Sequence, residues 1–252
     1  MSTAALQQLP LWSDEATEAG WRVRRSRRAR RLGVRIFRDG SVEIVAPLGV
    51  SPRQVSGFVE RHRGWIDRHR QRAPRVELAF PPTHIELPAL GESWQCEWRS
   101  ELPAGERRVQ ELAGEQGGVL QLCGASDDGA LRAALLDWLC ERARSALTPM
   151  LATLAANLGV EYRRVQIRRQ RTRWGSCSAQ GTISLNCCLL FHRPAVVRYL
   201  LAHELAHRTH MNHGKRFWTL VERYEPDWRN SDRELTRGWN QVPGWVLQAL
   251  RA

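Results

Sequence analysis

The stretch RPAVVRYLLAHELAHRTHMNH, residues 193–213, decides how this chain is read. It opens on Arg193-Pro194, and proline suits the first turn of a helix, where no backbone N–H is needed. Val196, Val197, Leu200, Leu201 and Leu205 follow at spacings that make the helix apolar over most of its circumference, so it belongs in the interior. Within that apolar run stand His203, Glu204 and His207. Residues four apart lie on one helix face, a turn above each other. His203 and His207 can therefore bind one ion together, with Glu204 to the side of the pair. Two histidines and a glutamate are expensive to bury without partners, and a metal ion is the partner this spacing suits. His213 falls where a chain leaving the helix and turning back brings a third imidazole to the same ion.

Three protein ligands leave the fourth tetrahedral position to water, which marks a catalytic zinc site and not a closed structural one. The expected cofactor is a single Zn2+, with manganese, cobalt or iron as other divalent ions that nitrogen donors admit. Such an ion lowers the pKa of bound water to about 7 and polarises a scissile bond. Glu204 is the candidate general base. The spacing of His203 to His213 equals that of the metzincins, but their motif glycine is here His210. The methionines are Met1, Met150 and Met211, so no Met-turn follows the third ligand. The turn is expected at Met211-Asn212, since asparagine tolerates the left-handed conformation that ends helices. His210 is then a spare imidazole near the site.

Outward from the motif, the chain is that of an ordinary globular protein, 252 residues with 42% hydrophobic and 25% charged content. The opening residues MSTAALQQLPLWSDEATEAG have neither a basic n-region nor an apolar h-region, and no run of eighteen apolar residues occurs. A cytoplasmic protein without a membrane partner is expected, and its six cysteines, with no C-x-x-C pair, are expected to be reduced thiols. The net charge is +12, Lys215 is the only lysine, and residues 21–31 hold seven arginines. Such a surface can attract a nucleotide or nucleic acid, or can simply keep the protein soluble.

Residues 1–20 read as a disordered N-terminus. Leu32, Val34 and Ile36, then Asp39-Gly40, then Val42, Ile44 and Ala46 read as a tight hairpin. Ser51-Pro52 opens a helix carrying Val55, Phe58, Val59, Trp65 and Ile66. Short strands are expected near Ile85, Trp94 to Trp98, Arg107 to Leu112 and Val119 to Leu122. Gly124 to Gly129 marks a boundary, giving a β-rich N-terminal domain over 21–125 and a catalytic domain over 126–252. In the latter, Ala130 to about Leu158 reads as a helix that Pro149 kinks or splits. A strand beginning at Val165 runs towards Trp174, and Thr182 to Leu185 returns as its partner.

Several pieces together resemble a known family. Arg171-Thr172-Arg173-Trp174-Gly175-Ser176-Cys177-Ser178, Ile183-Ser184-Leu185-Asn186, and His203 to His213-Gly214 with Phe217-Trp218 are similar to the YgjP-like metal-dependent hydrolases. These are related to the SprT-like and WLM zinc metallopeptidases. The Arg24 to Arg31 run, the Asp39-Gly40 hairpin and Trp65-Ile66 match the family's first half, while Pro74 to Gly118 fits it poorly. The resemblance implies an α+β protein with a zincin-like, gluzincin-type catalytic domain and a β-rich N-terminal domain. It implies zinc held by His203, His207 and His213, with Glu204 as the base, and it leaves the substrate open.

Three functions compete. A zinc peptidase would pair an extended peptide or protein substrate with backbone near Arg173, Trp174 and Gly175, its oxyanion met by Arg173, Arg208 or Tyr199. A nucleotide pyrophosphatase would use the same metal, with arginines clamping phosphates. A nucleic-acid-binding module would keep the metal for structure alone.

Overall fold

The computed structural model of the protein describes residues 21–36, 42–72, 80–101, 108–114, 117–124 and 128–250. Among them, three small sheets and six α-helices form a mixed α and β architecture. Contacts divide the chain into two units, Met1–Val76 and Glu77–Ala252. The expected disordered N-terminus and the Asp39-Gly40 turn lie outside the described residues.

In the first unit, β1 (Trp21–Ser26) lies parallel to β3 (Val42–Pro47), and β2 (Gly33–Ile36) pairs antiparallel on the other side of β3. Ile36 stands opposite Val42 and Gly33 opposite Val45, so the two arms of the expected hairpin are present. The sequence reading had no strand at β1, because arginines at 22, 24 and 25 mask its alternation. Trp21 and Val23 pack on a core of Val42, Ile44, Ala46, Val55 and Ile66. Arg22 and Arg24 meet the buried Glu43 at 2.9 and 3.1 Å, and Arg35 approaches it at 3.9 Å. Burial pushes that carboxyl up, but Arg24 and Arg22 outweigh it and hold the group below the usual carboxylate range. Arg27, Arg28, Arg30 and Arg31 form an exposed turn after β1. Helix α1 (Pro52–Arg72) starts on a capping box, in which the Ser51 N–H donates to Gln54 Oε1 (2.8 Å) and the Gln54 N–H to the Ser51 hydroxyl (3.4 Å).

The second unit begins with the strands β4 (His84–Leu87), β5 (Glu92–Arg99), β6 (Val109–Gly114) and β7 (Gly117–Cys123), in the order β4-β5-β7-β6. Helix α2 (Asp128–Leu158) follows. The sequence reading drew the domain boundary at residues 125/126, whereas the contacts divide the chain at 76/77. The reason is packing: Ile85, Leu87, Trp94, Leu120 and Leu122 of this sheet share one core with Leu131, Leu135 and Leu139 of α2. Pro149 does not split α2. Buried Leu147 and Leu151 on either side of it hold both halves in the same core.

A third sheet has the order β8-β10-β9, from β8 (Arg164–Arg168), β9 (Gly175–Cys177) and β10 (Thr182–Asn186). The strand expected to run from Val165 towards Trp174 ends at Arg168 instead. Residues 169–174 reverse direction, so β8 lies parallel to β10 and β9 antiparallel to it. A 3-10 turn, Cys187–Phe191, leads into α3 (Pro194–Ala206), which is buried over most of its surface as its sequence demands. Then come α4 (Lys215–Tyr224), α5 (Trp228–Arg237) and α6 (Gly244–Ala249). No helix among the described residues is long and apolar enough to cross a membrane. All six cysteines are free thiols.

Candidate active site

Helix α3 carries Glu204 and the first two histidines, and the chain must turn back for the third. The helix ends at Ala206, with His207 as its C-cap. The turn is closed by the N–H groups of Arg208, donating to Leu205 O, and of Thr209 and His210, donating to Ala206 O. This is earlier than the expected turn at Met211-Asn212. No non-glycine residue among those described has a positive φ, so Asn212 supplies no left-handed cap. The early turn has a consequence for the site, because it aims the His210 carbonyl back at His207. His207 Nδ1 lies 3.1 Å from that oxygen. His210, expected as a spare imidazole, contributes its backbone instead.

The three imidazoles converge. One ligand atom from each of His203, His207 and His213 falls within 4.8 Å of the others, and His203 Nε2 lies 3.1 Å from His213 Nε2. Phe217, fully buried on α4, packs against all three rings, stacked on His207 at 4.6 Å and T-shaped to His213 at 4.7 Å and His203 at 4.9 Å. Exposed His213 is steadied on its other side by Trp218, which stacks in turn on Trp228 at 4.4 Å. Burial, with the neighbouring imidazoles, depresses the His203 pKa to about 3, and burial lowers that of His207. Both rings are therefore neutral at physiological pH, the form that binds a metal.

Glu204 is 4% exposed, and its Oε2 has no hydrogen-bond partner in the protein. Burial pushes its carboxyl up to about 8, while the Arg173 guanidinium pulls the other way. A buried carboxyl oxygen with no partner, beside three converging imidazoles, fits a divalent cation with its water. His203, His207 and His213 are the residues that would hold it.

The wall facing Glu204 is β9. A Cβ added to Gly175 would sit 2.5 Å from Glu204 Oε1 and 3.0 Å from its Cδ and Cγ, so only glycine fits here. The loop before it is pinned by a residue the sequence reading quoted without a role. Asn186 is fully buried, and its Nδ2 donates to Gln170 O and Arg173 O at 2.7 Å each. Its Oδ1 accepts the Cys188 N–H at 3.0 Å, and its own N–H donates to Trp174 O at 2.8 Å. Asn186→Ala is expected to lower stability by about 2–4 kcal/mol through unpaired buried groups, read as a reduced urea midpoint with unchanged slope.

The remaining sequence-predicted positions are dispersed. Trp174 is buried, stacked on Trp239 at 4.2 Å and edge-on to His192 at 4.5 Å, so it supports the wall from behind. Arg208 donates to the backbone carbonyls of Glu161 (3.0 Å) and Ala179 (3.3 Å). Tyr199 is buried, and its hydroxyl lies 3.3 Å from His203 Nδ1, the ring nitrogen turned away from the triad. Arg173 alone of these expected oxyanion donors is exposed and close enough to influence Glu204. The Cys177 thiol is held up by burial and by Glu204, so it stays protonated.

A buried helix presenting a metal-competent imidazole triad and a carboxylate is the apparatus of a metal-dependent hydrolase. The YgjP-like family model, described as a metallopeptidase domain, matches residues 30–238, and the chain belongs to that family of peptidase-type, metal-dependent hydrolases. Among solved structures it is similar to the metallopeptidase zymogen of Pyrococcus abyssi abylysin, at 28% identity over 36% of this chain and 93% of that chain, with a TM-score of 0.33. No curated protein matches the chain.

Proposed function

We propose that the protein is a zinc peptidase of zincin-like, gluzincin type that cleaves extended segments of peptides or proteins, with Glu204 as general base. The observation that carries this reading is the apposition of β9 and Glu204. β9 is an edge strand of its sheet, and its first residue lies against the Glu204 carboxyl. An extended peptide can add itself to that edge through backbone hydrogen bonds, which places a carbonyl beside the base. Bound Zn2+, preferred by nitrogen donors, would supply an activated water and polarise that carbonyl. Glu204 would accept the proton of the attacking water and deliver it to the leaving nitrogen. Arg173, exposed and near enough to lower the Glu204 pKa, would meet developing negative charge.

The phosphoanhydride alternative has Arg173 in its favour, but a phosphate clamp needs several guanidiniums. Arg208 is committed to backbone carbonyls, and Arg169 to Asp137 and Cys140. Incubation with an unfolded casein-type substrate and, separately, with a nucleoside triphosphate tests the choice. Casein cleavage that a chelator abolishes and stoichiometric Zn2+ restores is the expected result. Triphosphate hydrolysis without peptide cleavage would overturn it.

A further inference from the structure

His203 differs from the other two imidazoles in what holds its outer nitrogen. His207 is oriented by the His210 carbonyl, and His213 by a T-shaped contact with Phe217 and by stacking against Trp218. At His203, Nε2 faces His213, so Nδ1 points outward, towards the hydroxyl of Tyr199 at 3.3 Å. The Tyr199 hydroxyl in turn donates to Asp232 Oδ1 at 2.7 Å. Tyr199 is 1% exposed on α3, one turn before His203, whereas Asp232 comes from α5. The polarity of this chain of bonds is fixed by its end. A carboxylate only accepts, so the phenol donates to Asp232, and its oxygen is left to accept the proton on His203 Nδ1. That assigns the tautomer of His203 with Nε2 bare and directed into the triad.

We propose that Asp232, acting through Tyr199, is a positioning residue for the metal centre. Together they lock the tautomer and ring angle of His203 and raise its basicity as a ligand. The carboxylate–histidine–metal arrangement is common, with direct contact between carboxylate and ring. Here a phenol is inserted, which lets a carboxylate on a separate helix reach a ligand on α3. The metal centre therefore depends on α5 as well as on the motif helix. This inference rests on the metallopeptidase reading, since it requires an ion at the triad.

The test measures Zn2+ affinity of the full-length protein by competition with a chromophoric chelator, and the visible spectrum of the Co2+ form. Wild type, His203→Ala, Tyr199→Phe, Asp232→Ala and the double variant Tyr199→Phe/Asp232→Ala are compared. Each of Tyr199→Phe and Asp232→Ala is expected to weaken Zn2+ binding about 10–100-fold and to shift the Co2+ bands. The double variant should lose no more than the worse single one, because both act through one bond to His203. Tyr199→Phe retains the ring, so its metal-free melting temperature should fall by only a few degrees, the cost of about one hydrogen bond, which separates positioning from a general loss of packing. Wild-type affinity and Co2+ spectra in both single variants, or fully additive losses in the double variant, would overturn the proposal. Failure of the wild type itself to bind Zn2+ through His203, seen as equal affinity in His203→Ala, would instead overturn the underlying metal reading.

Discussion

Glu204→Gln should retain its metal and lose about 10²–10⁴-fold in kcat, the contribution of a positioned general base. Glutamine matches the shape of glutamate and can still hydrogen-bond to water, but it cannot accept and carry a proton at neutral pH. The substitution is also mild for the fold. Glu204 is already 4% exposed with an unpartnered Oε2, and a neutral amide is easier to bury there than a carboxylate. The three imidazoles keep their contacts with Phe217, and His203 and His207 keep their outer partners. Metal content by elemental analysis should therefore stay near one ion per chain while turnover of an unfolded protein substrate collapses. Turnover within a factor of a few of wild type, with metal bound, would remove Glu204 from the reaction.

Gly175→Ala is the second large effect, and it acts on the same carboxylate from outside the motif. The new methyl would lie 2.5 Å from Oε1 and 3.0 Å from Cδ and Cγ, far inside van der Waals contact. An exposed side chain could swing away. Glu204 is enclosed, so either its carboxylate or the β9 backbone must move by about an ångström, and a displacement of that size costs on the order of 10²-fold in rate. The overpacking should also cost about 1–3 kcal/mol of stability. Metal affinity should remain within a few-fold of wild type, because the atoms nearest the new methyl all belong to Glu204. A variant with normal kcat would mean that the base and β9 do not need this close fit.

The arrangement of these residues was only partly legible in the chain. The buried character of α3 could be read from Val196, Val197, Leu200, Leu201 and Leu205, and the closeness of the two imidazoles from the four-residue spacing of His203 and His207, since helix periodicity fixes both locally. The helix at Ser51-Pro52 and the strands around Ile85, Trp94 and Leu120 were also visible from local pattern. Where local signals conflicted with packing, they misled. Arginines concealed β1, the glycines near residue 124 suggested a boundary that the shared core overrides, and Pro149 marked a break that Leu147 and Leu151 prevent. The loop at 169–174 was read as continuing strand because the bonds that reverse it come from Asn186, a residue with no local reason to stand out.

The sequence by itself determined the candidate ligands and the candidate base, since a single helix and the turn after it supply all four, and helical spacing is a property of the backbone. Tertiary structure alone decided what surrounds them. Gly175 meets Glu204 across 29 positions of chain, and Asp232 reaches the Tyr199–His203 pair from another helix. Contacts of that range are set by how elements fold against one another, so they leave no periodic trace in the order of residues.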